Sequence, residues 1–316
     1  MESVAQTPAF GELEQHRREL TAHCYRMLGS PFEAEDAVQE TLLKAWKNLD
    51  RFEGRSALRS WLYRIATNVC LDQLEGRERR ARPMDLGPAG EPVIENLGTP
   101  EVPWLQPVPD SLVADPAETV ASRETIRLAF VAALQHLPPR QRAALILCEV
   151  LRWQATEAAE LLETSVASVN SALQRARATL ATADTAAPAE LDDETLALLD
   201  RYVAAFEDYD IDRLTDLLHE DAIQSMPPYS RWLKGRDDLF AWWLGAGIGC
   251  KGSKLVPVGL VNGMPGWGQF KPDPEGGYEP WSLIVPEVSD GRIVELTFFL
   301  DTPKLFPFFG LPDHLD

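Results

Sequence analysis

The sequence predicts a multidomain chain in which two all-α bodies precede an α+β domain. Three observations predict it. Apolar residues recur at helical spacing from about Leu13 to Arg80, and again over about residues 121–182. Between them, residues 83–120 hold eight prolines and no lysine or arginine. After Glu194, helical spacing gives way to strand-like runs punctuated by the turn dipeptides Asn262-Gly263 and Asp290-Gly291. Helices followed by hairpin-linked strands make an α+β domain.

Taken in order, Val38, Leu42, Ala45, Trp46 and Leu49 fall on one helical face. A break follows at Asp50–Ser56, containing Gly54, and Leu58, Leu62, Ile65 and Val69 make the next stripe. This body, residues 12–82, ends in Arg77, Arg79, Arg80 and Arg82 before Pro83. Residues 83–120 carry no apolar period and read as an extended acidic linker. The second body, residues 121–182, opens on the stripe Leu128, Val131, Leu134 and Leu137. It restarts at Pro138-Pro139 with a core of Leu145, Ile146, Cys148 and Val150, and ends in the segment Ala155–Arg177. Residues 183–192 form a shorter linker. In the last domain, residues 193–316, Leu198, Tyr202, Ala205 and Phe206 suggest one helix and Leu214, Leu217 and Leu218 another. Strands are expected over Lys254–Val261, Gly266–Phe270, Tyr278–Pro286 and Arg292–Leu300.

Composition excludes several classes. No run of about 18 apolar residues exists, so no membrane-spanning helix is expected. The first residues lack the basic start and apolar block of a signal peptide. Cys24, Cys70, Cys148 and Cys250 are far apart in sequence, and the five histidines make no H-E-x-x-H. Neither a metal nor a disulfide framework is expected, no cofactor is implied, and a reducing cytoplasmic setting fits. The net charge of −19 is unevenly spread. Residues 1–82 balance 13 basic against 13 acidic side chains, residues 83–120 carry seven acids alone, and residues 184–316 carry 10 bases against 24 acids. Such acidity keeps a chain soluble, and it also suits a module that competes with nucleic acid for a basic face.

The segment Ala155–Arg177 reads as helix, tight turn, helix, the pattern of a helix-turn-helix. Ala158, Leu161, Leu162, Val166, Val169 and Leu173 supply a small core, and Thr164 or Ser165 can cap the second helix. Ser165, Ala167, Ser168, Asn170, Ser171, Gln174, Arg175 and Arg177 are left for the outer surface. Serine, asparagine and glutamine can bond base edges, and arginine can hold phosphate or guanine. The spacing also admits a plain helical hairpin with a polar face. In Ala34–Asn48, Asp36, Gln39, Glu40, Leu43 and Lys47 lie off the apolar stripe, and an exposed leucine amid acids and amides suits either a protein partner or a solvated face. Phe52–Asp72 interleaves arginines (Arg55, Arg59, Arg64) with Phe52, Trp61 and Tyr63. That mixture fits stacking on unpaired bases, or a core in which Trp61 and Tyr63 are packing residues.

Together these pieces resemble a known plan. Asp36-x-x-Gln39-Glu40-Thr41 with Trp46, then Trp61-Leu62-Tyr63-Arg64-Ile65-Ala66-Thr67-Asn68 with Asp72, resembles region two of the extracytoplasmic-function (ECF) sigma factors of bacterial RNA polymerase. Leu137-Pro138-Pro139-Arg140-Gln141-Arg142, followed by the helix-turn-helix ending Leu173-x-Arg175-Ala176-Arg177, resembles their region four. The resemblance implies that Asp36, Gln39, Glu40, Leu43 and Lys47 dock on the clamp of the polymerase largest subunit. It implies that Phe52, Arg55, Ser56, Arg59, Trp61, Tyr63, Arg64 and Asn68 recognise and open the −10 element, with flipped bases captured near Phe52–Ser56. Ser165 through Arg177 would read the −35 element, and the acidic linker would run through the polymerase toward the RNA exit path. Asn170 and Ala172 stand where many members carry basic residues, so phosphate contacts there are fewer.

The last domain resembles the SnoaL-like, cone-shaped α+β fold of the nuclear-transport-factor-two-like superfamily. The resemblance rests on the Asp221-Ala222-x-x-x-Met226-Pro227-Pro228 strand entry, the Gly235-Arg236 helix start and the Asn262-Gly263 hairpin. It implies an apolar pocket lined by Tyr202, Phe206, Met226, Trp243, Trp281 and Phe298, and a small-molecule ligand for it. Asp221 and Glu295 are the nearest carboxylates for acid–base chemistry, although the fold hosts enzymes, binders and scaffolds alike. The expected function is a non-enzymatic initiation factor modulated in cis by this domain. The alternatives are a ligand-sensing helix-turn-helix regulator that is not a polymerase subunit, and an enzyme using the cone.

Overall fold

A computed structural model describes residues 10–49, 52, 57–95, 97–113, 125–181 and 191–316. The chain divides into two compact units, one of Met1–Arg80 with Ser111–Asp184 and the other of Ala81–Asp110 with Thr185–Asp316.

The first unit begins with helices α1 (Phe10–Glu14), α2 (Arg17–Leu28), α3 (Pro31–Lys47) and α4 (Leu58–Leu74). The α2–α3 turn is written in three residues. Gly29 closes α2 at φ 69°, the Ser30 side chain caps α3 by accepting from the Glu33 amide, and Pro31 takes the first helical position, where its missing N–H costs nothing. Leu20, Cys24, Met27, Ala37, Val38, Leu42, Leu62, Ala66 and Cys70 knit α2, α3 and α4 together and are each at most 2% exposed. Each large aliphatic side chain so buried contributes about 1.5–3 kcal/mol.

The same unit continues with α5 (Leu128–Gln135), α6 (Pro139–Leu145), a π-helical turn Ile146–Val150, α7 (Ala155–Leu161) and α8 (Val166–Ala181). A reciprocal box starts α7: the Gln154 side chain accepts from the Glu157 amide, and the Gln154 amide donates to the Glu157 carboxylate at 2.8 Å. Glu163 makes the turn to α8 at φ 51°, a left-handed conformation that costs a non-glycine residue energy. Ala158, Leu161, Leu162, Val169 and Leu173 are buried as expected. Val166 is not, at 38% exposed, because it occupies the first position of α8, ahead of the packed turns.

The second unit carries one six-stranded sheet of order β2-β1-β6-β5-β4-β3. Its strands are β1 (Leu218–Ser225), β2 (Trp232–Lys234), β3 (Lys254–Val261), β4 (Met264–Pro272), β5 (Tyr278–Ser289) and β6 (Arg292–Phe299). β1 runs parallel to β6, and the other pairs are antiparallel. Asn262 and Gly263 turn β3 into β4 with φ of 51° and 79°, and Asp290 and Gly291 turn β5 into β6 with 50° and 67°. These are the positive angles of the primed hairpin turns. Helices α9 (Asp193–Glu207), α10 (Ile211–Leu217) and α11 (Arg236–Leu244) bury Leu198, Tyr202, Phe206, Leu214, Leu239 and Trp243 against Trp267, Ile284, Leu296 and Phe298. Helix α12 (Thr302–Phe308) packs on β5, with Phe306 edge-on to Phe270 at 5.0 Å.

Of residues 83–120, read from sequence as an extended acidic linker, the described residues 83–95 and 97–110 belong to the second unit and form a strap on its domain. The Gly90 amide donates to the Trp232 carbonyl, the Ser230 amide to the Gly98 carbonyl and the Trp232 indole to the Gly87 carbonyl. Near its end Val108 and Asn262 exchange hydrogen bonds, and the Asp110 carboxylate accepts the Gly263 amide at 2.8 Å. Hydropathy could not reveal this. The strap is held mainly through backbone groups, by residues more than a hundred positions away, so its side chains need no period.

Candidate nucleic-acid interface

Three surfaces of the first unit carry the residues singled out above. On α3, Asp36, Gln39, Glu40, Leu43 and Lys47 are all exposed. Trp46, expected on the buried stripe, is instead 50% exposed beside Leu43 at 49%. Positions 36, 39, 43 and 46 fall three or four apart, so the helix presents one stripe with two large apolar side chains at its centre. Sequence reasoning missed Trp46 because its position is equally compatible with either edge of the stripe. Contiguous exposed apolar groups amid polar ones mark protein contact.

The second surface is α4. Trp61, Arg64 and Asn68 lie at i, i+3 and i+7, with Trp61 half-buried and the other two exposed. The Phe52 ring lies 5.1 Å from that of Trp61, making a small aromatic platform beside the arginine. Arg55 and Ser56 lie outside the described residues. Tyr63 is not on this surface. It is 1% exposed, donates to Glu19 Oε2 at 3.1 Å, and packs edge-on against Trp153 at 5.6 Å. Arg59 is exposed yet engaged, donating to Glu19 Oε2 at 2.6 Å with its guanidinium over the Tyr63 ring. Burial first, and then the Glu19 carboxylate, push the Tyr63 phenol well above its ordinary value. A stripe at 3.6-residue spacing places Tyr63 two residues from Trp61, on a different face, which sequence pattern alone left open.

The third surface is α8. The Ser165 hydroxyl accepts the Ser168 amide at 3.1 Å and settles the capping residue. Ser165, Ala167, Ser168, Asn170, Gln174, Arg175 and Arg177 are exposed, and Ser171 is half-buried. Val169, Leu173 and Ala176 face inward. Arg175 donates to the Ser171 hydroxyl at 2.8 Å, and Arg177 pairs with Glu149. The outer face is therefore neutral at its N-terminal end, able to approach base edges, and cationic at its C-terminal end.

Beneath these surfaces His23 is fully buried on α2, with Nε2 3.0 Å from the Thr67 hydroxyl. Burial, aided by Arg26, lowers its pKa to about 3. The unfolded chain takes up this proton near pH 6.5 and the folded chain does not, so stability is whole above pH 6.5 and falls as pH drops toward 3. Between pH 7 and 5.5 the loss is expected to be about 1 kcal/mol. Urea titrations of the parent and His23→Leu chains check this. The parent should weaken more steeply on acidification, and parallel curves would contradict it.

In the second unit, Tyr202, Phe206, Trp243 and Phe298 share one core with Met226 packed against it. Trp281 does not belong to that core, since its half-buried ring sits under the Lys271 ammonium at 3.9 Å. The Trp243 indole donates to buried Gln224 at 2.9 Å. The Tyr202 hydroxyl is buried with no hydrogen-bond partner among the described residues. An orphaned buried donor costs about 1–3 kcal/mol. Tyr202→Phe is therefore expected to raise the melting temperature of this domain, and a lower one would show that the hydroxyl is satisfied in solution. Among the described residues no three metal-binding side chains cluster, and no helix is long and apolar enough to cross a membrane.

The chain matches two family models, Sigma-70 region 2 over residues 13–80 and Sigma-70, region 4 over residues 127–180. It is 47% identical over 310 residues to the ECF RNA polymerase sigma factor SigG of Mycobacterium tuberculosis, covering 96% of this chain and 83% of that protein. It is 28% identical over 265 residues to the ECF RNA polymerase sigma factor SigJ of the same organism, covering 81% and 79%. The crystal structure of that SigJ superposes with a TM-score of 0.63 at 25% identity, covering 96% of this chain and all of that one.

Proposed function

This chain belongs to the ECF sigma factors of bacterial RNA polymerase, and from that premise we propose which surfaces do the work and how its last domain modulates them. It is a transcription initiation factor, whose family binds core polymerase and promoter DNA. In the reading proposed here, the α3 stripe of Asp36, Gln39, Glu40, Leu43, Trp46 and Lys47 docks on the clamp of the largest subunit. The Phe52–Trp61 platform with Arg64 and Asn68 meets the opened −10 strand, where base–aromatic stacking supplies about 1–3 kcal/mol per base. The outer face of α8 reads the −35 element.

The strap carries the regulatory part of the proposal. A segment hydrogen-bonded along the C-terminal domain at Gly87, Gly90, Gly98, Val108 and Asp110 cannot at the same time thread through the polymerase. Docking and threading therefore compete, and anything that shifts the C-terminal domain shifts the strap. We read that domain as a scaffold without catalysis. Asp221 is exposed and 3.6 Å from Lys234, and Glu295 pairs with Arg82, so neither carboxylate stands in the aromatic core.

In-vitro transcription with core polymerase, on a genomic promoter library, compares the intact chain with one ending at Ala187. The proposal expects both to bind core and their initiation rates to differ. Equal rates would remove the in-cis modulation, and DNA binding without any complex with core would favour the free-standing regulator.

A further inference from the structure

Helix α8 carries two cations and no acid, and the two are not partnered alike. Arg175 donates to the Ser171 hydroxyl, a neutral group that leaves its charge whole. Arg177 pairs with the Glu149 carboxylate, which cancels it. Glu149 stands on the π-helical turn Ile146–Val150, an irregularity of a kind that recurs at functional sites. The wide ring of that turn is closed by the Leu151 amide on the Ile146 carbonyl, and the chain leaves it through Arg152 at φ 60°. The −10 surface repeats the arrangement, with Arg59 held on Glu19.

Rows along the helix show what the cancellation does. Asn170, Gln174 and Arg177 lie at i, i+4 and i+7 on one row, and Ser168, Ser171 and Arg175 at i, i+3 and i+7 on the next. The second row ends in an uncompensated cation. The first is two amides followed by a pair of zero net charge. That pair is open to solvent, its side chains 64% and 35% exposed, so it is weak and a phosphate can draw the guanidinium away. The charge is cancelled all the same. If Arg177 swings to a phosphate, Glu149 is left beside it uncompensated, and like charges repel. Phosphate contacts give affinity for any sequence, whereas base edges give discrimination. An acid set against Arg177 therefore subtracts from the first and leaves the amides of Asn170 and Gln174 free for the second.

We propose that Glu149 is a specificity-determining residue, which withholds Arg177 from DNA phosphates so that the free chain does not settle on non-promoter duplex and its grip on DNA waits for polymerase. This rests on the reading of α8 as the −35 helix. One phosphate contact contributes about 0.9 to the slope of log affinity against log salt, and between about 1 M and 0.15 M salt such a slope amounts to roughly 5-fold in affinity. Non-promoter sites outnumber promoters by orders of magnitude, so a factor of that size moves the balance between bulk duplex and polymerase.

The test measures binding of the full chain to a labelled non-promoter duplex across a salt series, by fluorescence anisotropy, with circular dichroism confirming the fold of every variant. Glu149→Gln should steepen the slope by about 0.9 and tighten binding about 3- to 10-fold near 0.15 M salt. Adding Arg177→Ala to it should return both to the parent values, because the released charge is then gone. Arg175→Ala in the parent should lower the slope by about 0.9, marking α8 as a helix in contact with DNA. Glu160→Gln, at an exposed acid of α7, should change affinity by less than about 2-fold. In transcription with core polymerase, excess non-promoter duplex should inhibit Glu149→Gln at about 3- to 10-fold lower concentration than the parent. An unchanged slope in folded Glu149→Gln, or a gain that survives Arg177→Ala or is matched by Glu160→Gln, would overturn the proposal. A steeper slope with equal sensitivity to competitor would overturn its part in specificity. If Arg175→Ala leaves the slope unmoved, the −35 reading of α8 fails and takes the proposal with it.

Discussion

Replacing Leu43 and Trp46 together with glutamate is expected to weaken binding to core polymerase at least about 100-fold, roughly 3 kcal/mol, while leaving the fold intact. Both side chains stand about half in solvent on α3, so their replacement removes little packing and should change stability by less than about 0.5 kcal/mol. Their neighbours Gln39, Glu40 and Lys47 are polar, and Lys44 already pairs with Glu40 at 2.8 Å. The stripe thus has the anatomy of a contact site, with an apolar centre and a charged rim. Two charges set into that centre would lose the burial and be desolvated without partners. Affinity for core measured by fluorescence anisotropy, beside a thermal melt, checks this. Undiminished affinity would move the docking surface elsewhere.

The second large effect concerns stability. Arg142→Met is expected to destabilise the first unit by about 1–3 kcal/mol for each acceptor it leaves buried and unpaired. The guanidinium satisfies carbonyls of Met27, Gln135 and Leu137 and the amide oxygen of Gln135, and methionine would leave all four acceptors buried and unpaired. Burial already works against the charge, lowering the Arg142 pKa to about 10, so the site tolerates the cation only because its bonds are nearly complete. Urea unfolding followed by helical ellipticity should show the transition of the first unit move to lower denaturant, while that of the sheet domain stays in place. A shift below about 1 kcal/mol would mean that water replaces the lost donor.

Much of the architecture was legible because local chemistry declared it. The stripe Val38, Leu42 and Ala45 announced α3, Asn262-Gly263 and Asp290-Gly291 announced two hairpins, and the inward set Ala158, Leu161, Val169 and Leu173 announced the helix-turn-helix. What escaped depended on partners distant in sequence. Strand β1 was read only from Asp221, by resemblance, and its start at Leu218 was read as helix, because the strand shows no clean alternation and pairs in parallel with β6 across an irregular register. Strand β2 is only three residues long. The strap has no pattern because backbone atoms hold it. Among candidate site residues, those on α3 are exposed, and so are those on α8 apart from half-buried Ser171, as their spacing required. Tyr63 did not, because a residue of the other helical half covers it, and Trp281 left the aromatic core for the company of Lys271. Trp46 made the opposite error visible: an apolar residue at the edge of a stripe is assigned to the core by habit and to the surface by packing.

The most direct measurement places photo-crosslinking residues at Arg64 and at Asn170 of the full chain, bound with core polymerase to one promoter. The account predicts that the first captures the unpaired strand near −10 and the second captures duplex near −35, both only when polymerase is present. Capture from Asn170 alone, with no polymerase required and no contact from Arg64 to melted DNA, would contradict it.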